Sequence, residues 1–145
     1  MRYRETGEVH MGFHRGLNGT IGYLRKKYGE KFLDETFRRM AHDVYRSIRE
    51  DLQGGDVRQL IEYWRYFFER EGGDFTIEES GDEVRFSVSR CPAISYLQDK
   101  GIEIDPAFCR QTIVINKALA EDSPFQIDTE VLGGGRCLQT VRRKS

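Results

Sequence analysis

The segment "FTIEESGDEVRFSVSRCPAISYL", residues 75–97, carries the pattern on which the fold assignment depends. Apolar residues alternate with polar ones on both sides of a turn formed by "SGDE". Phe75 and Ile77 precede the turn, and Val84, Phe86 and Val88 follow it. A period of two predicts a β-hairpin with one buried face.

Upstream of this hairpin the apolar residues recur every three to four positions, which predicts three amphipathic helices. The helices occupy residues 17–29, 30–55 and 56–73, and each ends in glycine. The second is predicted to be continuous, with Val44 on its inward stripe. Asp56 is the predicted cap of the third.

Downstream of the hairpin we predict two short helices and a second hairpin. One helix begins at Pro92, and the other begins at Pro106 with Asp105 as its N-cap. The second hairpin is interrupted by a "GGG" turn. The predicted class is α+β: three N-terminal helices packed on a four-stranded antiparallel sheet made of two hairpins, with two short helices between them. We expect a single domain over 1–145, with a helical half at about 15–72 and a sheet half, containing the cysteines, at about 73–143.

The composition argues against several classes of partner. Lys and Arg total 23 and Asp and Glu total 24, so the net charge of −1 creates no field that would attract nucleic acid or anionic lipid. No apolar run is long enough to cross a membrane, and "MRYRETGEVHMGF" lacks the apolar core of a signal peptide. We therefore expect a soluble, cytoplasmic protein without disulfides.

Cys91 stands between a predicted strand and Pro92, where it would be the N-cap of a helix. Unpaired N–H groups and the helix dipole at that position would stabilise a thiolate and lower the pKa of the thiol. The alternative is that Cys91 is a small buried residue that only fills space.

Cys109 lies just after the second helix start, and helical spacing aligns it with Thr112 and Asn116. A thiol, a hydroxyl and an amide on one face could line a small polar pocket. The alternative is a boundary stripe between core and solvent.

The segment "LGGGRC", residues 132–137, is a glycine-rich turn. The backbone N–H groups of Gly133, Gly134 and Gly135 could form a concavity that holds a carboxylate, with Arg136 as a bidentate partner. The alternative is a hairpin turn that needs glycine only for its positive φ angles.

Two further features leave function open. His14 could act as a general base for a thiol, or could join Cys91, Cys109 and Cys137 on a zinc ion; a surface position is the alternative. The aromatic segment "YWRYFF", residues 63–68, could present Tyr63, Tyr66 and Phe67 to a second subunit in a homodimer, or could simply thicken the core.

Three motifs, "RCPAISYL", "DPAFCRQTIVINKALA" and "LGGGRC", together resemble the L-2-amino-thiazoline-4-carboxylic acid hydrolase family. The resemblance covers roughly residues 85–140. It implies hydrolytic opening of a small heterocycle at a C=N carbon, in the conversion of the thiazoline acid toward cysteine. The order of elements also resembles 4-vinyl reductase-type domains and transport-particle (TRAPP) subunits, which include small-molecule binders and scaffolds.

The leading hypothesis is a cytosolic hydrolase acting on a C–N or C=N bond of a small heterocyclic carboxylate. Cys91, ahead of Cys109, would be the nucleophile, and His14 would be the base. Thr112 and Asn116 would bind the ring, and the site around Cys137 would hold the carboxylate through the 133–136 turn. The alternative is a non-enzymatic module that binds a small molecule or zinc; apart from zinc, no cofactor is expected.

Overall fold

The computed structural model describes residues 9–145; the first eight residues, part of the segment tested above for a signal peptide, lie outside the described residues. The helices and strands follow one another in this order: α1 (Phe13–Tyr28), α2 (Glu30–Asp43), α3 (Arg46–Gln53), α4 (Arg58–Arg70), β1 (Asp74–Ser80), β2 (Glu83–Arg90), α5 (Pro92–Asp99), α6 (Arg110–Ala120), β3 (Phe125–Gly133) and β4 (Arg136–Arg143). The protein is therefore α+β, as predicted.

The four strands form an antiparallel sheet in the order β1-β2-β4-β3. The two predicted hairpins, β1-β2 and β3-β4, are joined side by side through β2 and β4. In this register Phe86, Gln139 and Thr129 lie next to one another across three strands. The next row of the same face contains Val88, Cys137 and Val131.

One face of this sheet is covered by the helices. Val84, Phe86 and Val88 are all buried, as their alternation predicts. Trp64 of α4 stacks on Phe86 with ring centroids 4.7 Å apart, and α6 lies between β3 and α2. The opposite face carries charged residues such as Arg85. No helix within residues 9–145 is long and apolar enough to cross a bilayer.

The predicted N-terminal helical region is present, but among the described residues it contains four helices and not three, because the long second helix divides at Val44 and Tyr45. The N–H groups of both residues point to the carbonyl of Met40, at 2.9 and 3.0 Å, so the α-helical ladder ends there. The division turns Tyr45 toward Tyr63, whose ring lies edge-on at 5.5 Å. Val44, expected to face inward, is exposed instead.

The helix predicted to start at Pro106 starts four residues later. Residues 106–109 form a turn in which Asp105 accepts two hydrogen bonds, from the N–H of Ala107 to its carboxylate and from the N–H of Phe108 to its carbonyl, both at 2.9 Å. The capping role of Asp105 is thus correct for the turn and not for the helix. As a result Cys109, expected in the first helical turn, is the N-cap of α6.

Asp105 also joins this turn to α1, because Arg25 donates two hydrogen bonds to its carboxylate, at 3.0 and 2.9 Å. The hydrogen bonds from Arg25 lower the pKa of Asp105 in the folded protein below its value in the unfolded chain. The ion pair therefore stabilises the fold at pH values above the unfolded pKa, and this stabilisation is lost as the pH falls through the folded pKa.

We expect Asp105→Asn to lower the urea midpoint at pH 7 but to have little effect near pH 2. Asp99→Asn, on an exposed residue, is the control; an equal loss at both pH values would contradict the pairing.

Candidate functional site

A cavity of about 570 Å³ lies between the helices and the covered face of the sheet. Its lining comes from α1, α2, α4, α5, α6, β3 and β4 and from the loops between them. Most of the residues singled out from the sequence line it, namely His14, Cys91, Cys109, Thr112, Gly133, Gly134, Gly135, Arg136 and Cys137. Segments far apart in the chain thus converge on one space of the size that commonly holds a small molecule.

Cys91 is the N-cap of α5, with Pro92 at the first helical position, as predicted. It follows directly after β2 and has an extended backbone, with φ −72° and ψ 124°. Its N–H donates a 2.8 Å hydrogen bond to the carbonyl of Gly135. The φ of 76° at Gly135 is a left-handed conformation that favours glycine, and a Cβ atom added there would be in ordinary contact with Ile94 at 3.4 Å. The backbone therefore holds the thiol and the glycine turn together.

All three cysteines are free thiols, and burial raises the pKa of each. For Cys91, the N–H groups of Ile94 and Ala93 act in the opposite direction, and the charge of Glu71 raises the pKa further. For Cys109, burial is reinforced by the neighbouring thiols of Cys91 and Cys137, and the pKa rises to about 11. The predicted lowering of the thiol pKa at the helix starts is therefore wrong, because burial outweighs the helix dipole.

These pKa directions predict slow alkylation of the folded protein. At pH 8 a thiol with a pKa near 11 is ionised about 100-fold less than an ordinary cysteine, so we expect iodoacetamide to modify Cys109 about 100-fold more slowly than in urea. The rate should climb steadily with pH up to about 11. Site-resolved mass spectrometry at several pH values would measure this. A rate at Cys109 that levels off below pH 9 would contradict the raised pKa.

His14 is buried, with 7% of its surface exposed, so the surface position considered for it is wrong. Its Nε2 lies 2.5 Å from Oε1 of Glu71, and both residues line the cavity. A carboxylate can only accept, so Nε2 donates and Nδ1 is left as the acceptor of the imidazole. Among the described residues Nδ1 has no hydrogen-bond partner. Such an imidazole can accept a proton at Nδ1, although the Cys91 thiol is not within hydrogen-bond distance of it in this structure.

Glu71 was not identified from the sequence. It follows α4 and precedes Gly72 and Gly73, and a charged residue at the end of a helix is common and does not by itself indicate a functional site. A Cβ atom at Gly73 would lie 2.9 Å from Cδ of Pro92 and 3.0 Å from Phe68, closer than real Cβ atoms come. Gly73 thus allows this turn to pack against the start of α5. The "GG" pair at residues 72 and 73 was the sequence signal that could have pointed to Glu71. A glycine required for close packing also brings the residues beside it close to the packed segment.

Asn116 does not belong to the cavity lining formed by the described residues, although it was predicted to share a face with Cys109 and Thr112. It is buried behind the lining and donates hydrogen bonds to Oγ1 of Thr129, at 2.9 Å, and to Oε1 of Gln139, at 2.7 Å. Because both acceptors line the cavity, Asn116 orients the polar wall without facing the space itself.

The glycine turn has the positive φ angles predicted for it, namely 81°, 62° and 76° at Gly133, Gly134 and Gly135. Arg136 follows on the exposed rim, and its Nε lies 3.5 Å from the carbonyl of Gly133. No described carboxylate forms an ion pair with Arg136. Its guanidinium is therefore available to an anionic group at the mouth of the cavity.

The aromatic segment 63–68 divides between three environments. Trp64 is in the core, Tyr63 and Phe67 line the cavity, and Tyr66 is exposed. Two of the three aromatic residues considered for a subunit interface thus face the cavity.

The zinc alternative needs three or more suitable donors gathered at one point. Within residues 9–145 no group of three His, Cys, Asp or Glu side chains is arranged to hold a metal ion. Cys91, Cys109 and Cys137 share the cavity, but as placed they do not form a ready metal site.

No protein-family model matches this chain, and a search among curated proteins of known function also finds no match. The assignment of a function therefore depends on the chemistry of the cavity itself.

Proposed function

We propose that the protein is a hydrolase that opens a C–N or C=N bond in a small heterocyclic carboxylate such as 2-amino-thiazoline-4-carboxylate. The observation that supports this most is that Cys91 and the His14–Glu71 pair line one cavity. The charge of Glu71 acts on the Cys91 thiol, so the two groups are within electrostatic reach. A nucleophile, a base and a carboxylate that orients the base are the usual parts of covalent hydrolysis.

In the proposed reaction Cys91 is protonated at rest, because burial raises its pKa. Nδ1 of His14 takes the thiol proton as Sγ bonds to the ring carbon of the C=N group. His14 returns that proton to the ring nitrogen as the C=N bond becomes a single bond. The ring C–N bond then breaks, a second proton passes from the exocyclic amino group to the departing nitrogen, and the carbon bound to Sγ is left as a C=NH group. A water molecule next cleaves the bond between Sγ of Cys91 and the carbon, giving its hydroxyl to the carbon and its proton to the Cys91 thiolate. One water is consumed and the enzyme is regenerated.

The remaining polar groups of the lining would bind and orient the substrate. Arg136 and the N–H groups of residues 133–135 would hold the carboxylate at the rim. Thr112 would hydrogen-bond the ring or the charge that develops on it. Cys109 is a less favourable nucleophile than Cys91, because burial, together with the charges of the other two thiols, raises its pKa to about 11.

The test is to incubate purified protein with 2-amino-thiazoline-4-carboxylate and to follow, by mass spectrometry, a product heavier by one water. We expect turnover that is lost in Cys91→Ala. Turnover unchanged in that variant would disprove covalent catalysis by Cys91. Absence of turnover with this acid and with related cyclic amidines and amides would overturn the proposed activity.

A second candidate function is the non-enzymatic binding of a small molecule. The observation that favours it is that burial keeps all three thiols protonated within a lining rich in aromatic side chains. In that case calorimetry would detect binding of a ligand that is recovered unchanged. A zinc-binding module would in addition require the donors to rearrange.

A cytoplasmic location and a homodimer also remain proposals. Tyr66 is the residue of the aromatic segment that is placed to meet a second subunit, since it is exposed on α4. Sedimentation equilibrium of the wild type and of Tyr66→Ser would test the dimer. A monomeric wild type would remove it.

A further inference from the structure

We infer that the substrate carries an aromatic substituent in addition to its heterocycle and its carboxylate. This inference rests on the proposed function and specifies the substrate class of the same cavity. It follows from the length of the cavity along α4, from the composition of its far wall and from the position of the exposed cation Arg136 on its rim.

The length is given by three lining residues on α4 and at its end. Tyr63, Phe67 and Glu71 are spaced four residues apart and all line the cavity, so they follow one face of the helix. A rise of 1.5 Å per residue separates Tyr63 from Glu71 by roughly 12 Å along the axis. Because Glu71 marks the base, the cavity extends well beyond a five-membered ring placed at Cys91.

The volume leads to the same conclusion. A cavity of about 570 Å³ lies within the range of roughly 300–1,000 Å³ that is typical of pockets for drug-sized ligands. A single small ring with one carboxylate would leave most of it empty or filled with water. Filling the remaining space with water is unfavourable, because water between apolar walls finds few hydrogen-bond partners.

The far wall is aromatic and offers little to a polar substituent. Tyr45 and Tyr63 lie edge to face at 5.5 Å, and Tyr63 lies 4.6 Å from Phe67. The hydroxyl of Tyr63 donates a hydrogen bond to the hydroxyl of Tyr45 at 3.3 Å. Rings arranged in this way bind a further ring through edge and face contacts.

Charge determines which way the ligand lies. Arg136 is on the rim beside the glycine turn, and that turn is tied to Cys91 by the 2.8 Å hydrogen bond from Cys91 N–H. The carboxylate therefore lies near Arg136, the reacting carbon lies near Cys91, and the aromatic substituent reaches along α4 toward Tyr63.

The experiment compares 2-amino-thiazoline-4-carboxylate with an analogue that bears a phenyl group on the ring carbon next to the one that carries the carboxylate. Calorimetry on Cys91→Ser measures binding without turnover, and kcat/KM is measured on the wild type. We expect the phenyl acid to bind at least about 10-fold more tightly, a difference typical of one well-buried ring. Phe67→Ala should remove most of that preference, and Phe67→Leu should retain part of it. Glu62→Ala, at an exposed position of the same helix, should leave it unchanged.

Each outcome distinguishes this inference from the proposed function. Equal affinity for the two acids would overturn the aromatic substituent even if both are hydrolysed. Tighter, Phe67-dependent binding of the phenyl acid without hydrolysis would overturn the enzymatic function and uphold the ligand class. A preference that survives Phe67→Ala in a folded protein would show that the ring lies elsewhere, and would overturn the inference.

Discussion

Cys91→Ser is expected to lower kcat for ring opening by at least about 10³-fold, because a serine hydroxyl is a much weaker nucleophile toward the C=N carbon than a thiol. The side chain differs by one atom, so the N-cap of α5 and the hydrogen bond from residue 91 to Gly135 should persist. Stopped assays that follow the product by mass spectrometry, with thermal unfolding as a measure of folding, would test this prediction.

Cys137→Ser is the matched control, since Cys137 lines the same cavity from β4. Its pKa is raised mainly by burial, with no contribution from Glu71. We expect it to retain activity within about 10-fold of the wild type, a level consistent with a packing change alone. Cys109→Ser should behave similarly. A large loss in Cys109→Ser together with an active Cys91→Ser would reverse the assignment of the nucleophile.

The features predicted correctly from the sequence are those that depend on neighbours in the chain. The alternation at Val84, Phe86 and Val88 identified a buried strand face, and Pro92 identified the start of α5 with Cys91 as its cap. The glycines of the 133–135 turn were expected at positive φ and are found there. Each of these properties is determined by the conformational preferences of a few adjacent residues.

The features that were missed depend on contacts between distant segments. The division between α2 and α3 accompanies the packing of Tyr45 on Tyr63, which no helical period encodes. The direction of the thiol pKa follows from burial by several elements, and burial could not be derived from a helix start alone. The hydrogen bond between His14 and Glu71 joins residues 57 positions apart. Periodicity predicts which face of an element is buried, but not which polar side chains meet there.

Glu71→Gln is expected to reduce kcat by about 10²–10⁴-fold, because an amide can donate to Nε2 of His14 and so favour the wrong tautomer. Nδ1 would then carry the proton and could no longer accept one from Cys91. Glu71 acts here as a positioning residue: its carboxylate lies 2.5 Å from the imidazole and fixes which nitrogen is the base. KM should change less than about threefold, since substrate binding is assigned to Arg136, the glycine turn and the aromatic wall.

The comparison variants separate this role from a general effect on folding. Glu71→Asp retains an acceptor on a shorter side chain and should recover part of the lost kcat. Glu69→Gln removes the same charge from an exposed position two residues earlier and should leave kcat and KM unchanged. If Glu71→Gln instead raised KM and lowered thermal stability in parallel with kcat, Glu71 would be a structural residue of the turn before β1. The base for Cys91 would then have to be sought among the other polar groups of the cavity.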